Sequence, residues 1–277
     1  MNSQIVSPNR AAAGHRGPRL VGAVNWLGLW TLYLKEVRRF LNVFTQTLVA
    51  PMVTTLLFLA IFALALGGAG RAAVAGVPYI LFLAPGLIMM TLMQNSFANT
   101  SSSIVIAKVQ GNIVDVLMPP LSASELTLGV AGGGVTRGLL VGLAAASAMA
   151  LFVPLRTHAP FAMAYFAING ALMLSLLGLI GGIWAEKFDH MAAITNFVIT
   201  PFSFLSGTFY SIERLPEAWR FVAHFNPFFY LIDGFRYGFI GHADGSLQIG
   251  AFVVLGVNAA LWAIAHRMFA TGYRLKA

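Results

Sequence analysis

The chain has 277 residues, 58% of them hydrophobic and only 9% charged, with a mean hydropathy of +0.79. Soluble domains carry about 25% charged residues, so the composition excludes an ordinary soluble enzyme and leaves apolar length for roughly six membrane spans. The net charge of +8 and pI of 10.2 fit positive residues holding cytoplasmic ends, not nucleic-acid binding, and the absence of cysteine removes disulfide and thiolate chemistry.

Residues 1–24 carry Pro8, Arg10, Arg16, Pro18 and Arg19 without a continuous apolar core. They read as a disordered cytoplasmic tail, not a signal peptide. Residues 25–41 form an amphipathic helix. Trp26, Trp30, Tyr33, Val37, Phe40 and Leu41 recur at three- and four-residue steps, while Lys35, Glu36, Arg38 and Arg39 gather opposite. Trp on one face and Lys or Arg on the other place such a helix in the inner headgroup plane.

Residues 42–273 read as one transmembrane domain. Span one covers 44–66 and is interrupted by Pro51; span two covers 79–106. The second half of span two is polar, and Asn95, Asn99 and Ser102 share one helical stripe. Lipid offers such a stripe no partners, so it faces protein or water. Helix–helix adhesion and a substrate path both satisfy that requirement. The returning segment KVQGNIVDVLMPPLSASE places Val109, Ile113, Val116 and Leu117 on one side of a short helix that Pro119 and Pro120 end. It is either a handle for a cytoplasmic partner or a passive surface helix. Ser122 and Glu125 form a capping-box pattern that starts span three.

Span three, 126–153, is rich in glycine, which lets helix backbones approach closely. Its one charge is Arg137. A cation at the centre of a spanning helix costs about 2.5–3.5 kcal/mol; the residue reads as a stem snorkelling to the inner surface, with a functional role as the alternative. Span four covers 161–184. The inner connection AEKFDH holds Glu186 and His190 without the second histidine of an HExxH motif, so no metal site is expected.

Span five covers 191–210 and an outer hairpin 211–246. The hairpin combines aromatic rings with Glu213, Arg214, Glu217, Arg220, Asp233 and Arg236, a mixture suited to the headgroup boundary or a re-entrant turn. Asn226–Pro227 breaks it into two helices, and Asp233 and Arg236, three residues apart, are placed to pair. Span six covers 247–269. The expected fold is therefore an all-α membrane protein: six spans, an N-terminal interfacial helix, and an outer helical hairpin between spans five and six.

Counting Lys and Arg on the two sides gives eleven against five, which puts both termini in the cytoplasm. The four lysines follow Leu34, Ala107, Glu186 and Leu275, so no Walker A loop exists. No nucleophile–base pair stands out. The span interiors lack the carboxylate that a proton- or sodium-driven carrier uses. The chain is expected to carry no catalytic, cofactor-binding or metal site of its own.

The segment PLSASE and the block LSGTFYSIERLPEAWRFVAHFNPFFYLIDGFRYGFIG, with this order of elements, resemble the permease of bacterial ABC-2 type exporters. The branch resembled is that of nodulation-factor and polysaccharide export permeases, and the likeness spans Trp26 to Tyr273. It implies a homodimer in the bacterial cytoplasmic membrane, among its lipids, joined to two copies of a separate ATPase that binds ATP and magnesium. It implies that Lys35, Glu36, Arg38, Arg39, Gly111, Asn112, Asp115, Leu117, Glu186 and Asp189 couple to that ATPase. Asn95, Asn99, Asn196 and Thr200 would border the translocation path. Asn226, Pro227, Asp233, Arg236 and Tyr237 would form an outer gate. The implied cargo is a lipid, a glycolipid or polysaccharide, or a hydrophobic compound moved outward; an ATPase-independent carrier or channel, or a membrane anchor, is the alternative.

Overall fold

Long apolar helices with polar ends leave the backbone only one way to satisfy its hydrogen bonds in lipid, and the chain takes it. The computed structural model describes residues 22–66, 74 and 76–275; most of the predicted tail, Arg71 and Lys276 lie outside them. The described residues are helical, with no strand among them. In order they form α1 (Trp26–Leu41), α2 (Ala50–Leu66) behind a π turn (Thr45–Val49), α3 (Tyr79–Val109), α4 (Ile113–Leu117), α5 (Ala123–Met149) and α6 (Pro160–Trp184). There follow α7 (Phe188–Ile194), a second π turn (Thr195–Ile199), α8 (Thr200–Phe204), a 3-10 turn (Ile212–Arg214), α9 (Glu217–His224), α10 (Pro227–Ile240) and α11 (Leu247–Thr271).

Five helices are long and apolar enough to cross a membrane: α2 with its π turn, α3, α5, α6 and α11. The predicted span 191–210 takes a different form. A helical run from Phe188 to Phe204 passes through α7, the π turn and α8, and the chain leaves it at Leu205. At 1.5 Å per residue that run is about 25 Å long, short of the roughly 30 Å hydrocarbon core. Pro201 contributes no N–H, the Ser203 hydroxyl donates to the Ile199 carbonyl, and Gly207 turns the chain at φ +73°. Both π turns stand just ahead of a proline, Pro51 or Pro201. There the missing donor leaves the helical ladder free to widen by one residue.

α3 is the axis of the bundle. In its most apolar stretch 78% of residues are buried, against 11% for α2 and 17% for α11; those two present their flanks outward. α5 and α6 clasp α3 through glycine. A Cβ on Gly138 would fall on the Ser96 hydroxyl, and one on Gly178 would fall 2.5 Å from the Phe97 carbonyl. The core divides in two. A larger part surrounds α3 with α6 and α10, including Leu87, Met89, Met173 and Leu231. A smaller part joins Leu32, Ile104, Ile113, Val130, Leu179 and Phe269.

One end of the bundle collects α1, α4, the last turns of α3, α6 and α11, and the first turn of α5. Lys108 Nζ donates to the Ile183 and Ala185 carbonyls at 2.7 and 2.6 Å, and Arg274 reaches Trp184 O at 3.0 Å. The predicted capping box is present: Ser122 Oγ accepts from the Glu125 N–H while the Glu125 carboxylate accepts from the Ser122 N–H. The same carboxylate also accepts from the N–H of Asn25, the N-cap of α1. One side chain thus starts two helices and ties them together.

The other end is built around α10. Asn226 caps it by accepting the Phe228 N–H, and its amide donates to Ser206 Oγ at 2.8 Å. Pro227 supplies the first helical residue, where its missing N–H costs nothing. α10 sinks between α3, α6 and α11; α9, by contrast, leaves Trp219, Phe221 and Phe225 exposed.

Candidate coupling and transport site

α1 docks on α5 through a mostly apolar face that carries one charge. Leu29, Leu32, Glu36 and Phe40 point inward, while Trp26 and Trp30 are exposed. Of the four charges expected opposite the tryptophans, Glu36 alone is fully buried, Arg39 is half-buried, and Lys35 and Arg38 are exposed. Leu32 packs on Gly129 and Glu36 on Gly133 of α5, and the Glu36 carboxylate reaches past them to the polar stripe of α3. Glu36 is fully buried, with its Cβ against Gly133. Its Oε1 accepts from Ser103 Oγ at 2.8 Å and lies 3.2 Å from Lys35 Nζ; its Oε2 lies 3.2 Å from Arg39. Arg39 reaches further and donates to the Asn99 carbonyl (2.7 Å), Asn99 Oδ1 (3.0 Å) and Ser102 Oγ (3.1 Å). Buried charge of this kind persists only when paired and hydrogen-bonded.

Arg137 does not snorkel to the end of α5. It stands fourteen residues into that helix, about 21 Å along its axis, and its Nη2 donates to Asn95 Oδ1 of α3 at 3.1 Å. Its Nε is buried without a partner, as is the Nδ2 of Asn99.

Of the expected coupling residues, Lys35, Arg39, Asn112 and Asp115 line one groove of about 690 Å³ between α1, the end of α3 and the α4 segment. Much of its remaining wall is apolar, with Leu27, Ile106, Val116 and Leu121. Arg38 and Gly111 are exposed nearby, Gly111 turning the chain at φ +76°. Leu117 is half-buried. Ile113 and Val116 hold α4 on the bundle, while Val109, predicted to join them, is exposed. Glu186 pairs with Arg274 at 3.5 Å, and Asp189 is exposed.

Of the expected path residues, Asn95 and Thr200 line a second cavity of about 400 Å³ between α3 and the Phe188–Phe204 run, with Gln94, Ser101, Ser102 and Thr195. Asn99 stands behind its wall, fully buried in the Arg39 network, and Asn196 is exposed.

At the α10 end, Asp233 and Arg236 are both buried but do not form the expected ion pair. Asp233 accepts the backbone N–H groups of Asp244 and Gly245, each at 2.9 Å, and so fixes the loop into α11. Arg236 donates to the Gly207 carbonyl at 2.6 Å and the Phe82 carbonyl at 3.3 Å, and its guanidinium stacks 3.8 Å above the Phe82 ring. Three residues of spacing put the two side chains on one face; the unpaired carbonyl at Gly207 and the unpaired N–H groups after His242 drew them apart. Tyr237 meets the His158 ring edge-on. Sequence reasoning missed Ser103, Lys108, Ser206 and Asp244. The first was visible as part of the polar half of span two; Lys108 and Asp244 act on backbone groups remote in sequence, and Ser206 on the distant Asn226 amide, so none of the three carried a local signal. Asp244 bonds the Ile212 N–H and lies 3.2 Å from His242 Nε2, and Glu213 adds a third ligand-type side chain, with all three donor atoms within 4.8 Å.

Several apolar helices around a buried axial helix, with a charge-bearing helix laid on one end and a groove beneath it, define a helical multi-pass membrane protein. Residues 28–240 match the ABC-2 type transporter family, and the chain belongs to that family as one of its permeases. It is similar to the inner membrane transport permease YadH of Escherichia coli (strain K12), with 39% identity over 246 residues, 87% of this chain and 96% of the relative. It is also similar to nodulation protein J of Rhizobium leguminosarum bv. viciae, at 28% identity over 242 residues, 84% of this chain and 90% of the relative. The same-named protein of Sinorhizobium fredii is 24% identical over 244 residues. The branch that the sequence resembled is thus the one its relatives occupy.

Proposed function

We propose that this chain is the membrane-spanning subunit of an ATP-driven exporter in the bacterial inner membrane. Two copies of the chain work with two copies of a separate ATPase, which binds ATP and magnesium. Cargo is a lipid, glycolipid or polysaccharide, or a hydrophobic compound. The observation that carries this reading is the convergence, in an ABC-2 family permease, of Lys35, Arg39, Asn112 and Asp115 on one groove at one end of the bundle. A groove walled by a surface helix and by the α3–α5 connection is the kind of feature on which a motor subunit can act.

In this reading residues 1–24 and both termini are cytoplasmic, as the Lys and Arg count favours. Residues 42–273 form the transmembrane domain, with the Phe188–Phe204 run as the fifth of six spans. The π turns beside Pro51 and Pro201 support flexing in spans one and five. Motion of the ATPase pair is passed through α1 and α4 to α3, because Arg39 links α1 directly to Asn99 and Ser102. Asn95, Asn196 and Thr200 border the path, and residues 211–246 close it on the outside around Asn226, Pro227, Asp233, Arg236 and Tyr237.

The test is reconstitution with the co-purified ATPase in sealed vesicles. Cargo should move only when the ATPase is active; vectorial movement by this chain alone overturns the reading and leaves a carrier or channel. Arg38, exposed, should matter for docking alone. Arg38→Glu should reduce ATPase co-purification severalfold while shifting stability by less than about 0.5 kcal/mol.

A further inference from the structure

Two buried groups in the α1–α3–α5 network are donors without acceptors: Arg137 Nε and Asn99 Nδ2. They belong to the same place. Asn99 Nδ2 lies beside Gly133 of α5, 3.6 Å from where its Cβ would be, and Arg137 follows Gly133 by four residues on the same helical face. The charge there is also unbalanced. Glu36 is shared between Lys35 and Arg39, and among the described residues no carboxylate pairs with Arg137. One turn along α3 from its partner Asn95, Asn99 is bonded to a second cation, Arg39. Membrane proteins hold an intramembrane cation for a partner, and here the protein supplies only an amide oxygen.

The network also separates two spaces. Arg39 and Ser103 line the apolar-walled groove under α1; Asn95 and Ser102 line the cavity against the Phe188–Phe204 run. Between them stand Asn99, bonded to Arg39 of the groove, and Arg137, bonded to Asn95 of the cavity.

We propose that Arg137, Asn99 and Arg39 form a station for the oxyanion of an amphiphile, its phosphate-type headgroup accepting the two spare donors while its apolar part follows the groove. This deepens the transport reading and rests on it: the cargo class becomes an anionic lipid or lipid-linked molecule. Guanidinium binds such groups with charge-assisted, fork-like hydrogen bonds.

The full chain is placed in nanodiscs of mixed phosphatidylglycerol and phosphatidylcholine, and the lipids it retains are weighed by native mass spectrometry. In parallel, inorganic phosphate is titrated at constant ionic strength with the thermal midpoint as readout. The wild-type chain should retain phosphatidylglycerol over phosphatidylcholine. Arg137→Gln should lose that preference about tenfold, Asn99→Asp should lose it by adding repulsion, and Arg137→Lys should keep part of it. Equal retention by Arg137→Gln, or a lowered midpoint without altered retention, overturns the station and leaves a structural arginine. An Arg137-dependent response to inorganic phosphate with no lipid preference overturns the amphiphile and leaves a free-anion site. Lost retention in Arg137→Gln with unchanged export by the complete complex upholds the headgroup site and overturns its place on the cargo path.

Discussion

Two arginines touch α3, Arg236 fully buried at the α10 end and Arg137 half-buried at mid-height, and the protein treats them in opposite ways. At the α10 end, Arg236 is 1% exposed, donates to two backbone carbonyls, stacks on Phe82 and leaves no buried nitrogen without a partner. At mid-height between α3 and α5, Arg137 has a single amide partner and an idle Nε. The first cation does the work of a structural cross-link, joining α10 to α3 and to the turn at Gly207. The second holds unused bonding capacity beside Asn95, which lines a cavity. Saturation, with every buried nitrogen partnered, marks the charge that holds the membrane fold together; spare donors mark the one kept for something that arrives.

That comparison is open to direct attack. Arg236→Leu should cost roughly 3–5 kcal/mol, since it strands two buried carbonyls, and should sharply lower the denaturation midpoint in detergent. Arg137→Leu should cost less than about 1 kcal/mol or stabilise, because replacing a half-satisfied buried charge by an apolar side chain removes a penalty. Similar losses at both sites would break the contrast. Next, exchanging the charges in an Asp233→Arg, Arg236→Asp double variant should be no better than the worse single variant. Each residue serves backbone groups of opposite polarity, which the exchange inverts, so any rescue of thermal stability would restore the direct pair. The smallest effect belongs to the join between α1 and α5. Ser122→Ala should cost about 1 kcal/mol, measured by unfolding, and should loosen amide exchange protection at the start of both helices, since Glu125 caps one and anchors the other.

Much of the architecture was legible because its signals are local. Runs of apolar residues gave the long helices within a few positions of their observed ends, Ser122 and Glu125 announced the start of α5, and Asn226–Pro227 announced α10. These depend on spacings of three or four residues and on backbone chemistry at helix ends. The Phe188–Phe204 run came out shorter than its apolar length because Pro201 and Gly207, with serine and threonine hydroxyls bonding back to the main chain, ended the helix before hydrophobicity did.

The sequence by itself determined a helical membrane bundle, its family and the absence of a Walker A loop, since composition, periodicity and motif are written along one strand of chain. Only the tertiary structure decided which face of α1 turns inward, that Arg137 answers Asn95, and that Asp233 and Arg236 part company. Those outcomes turn on groups 11 to 154 residues apart in the chain. A side chain picks its partner by which unsatisfied donor or acceptor packing brings within 3 Å or so, and spacing along one helix carries no record of what the neighbouring helix will present.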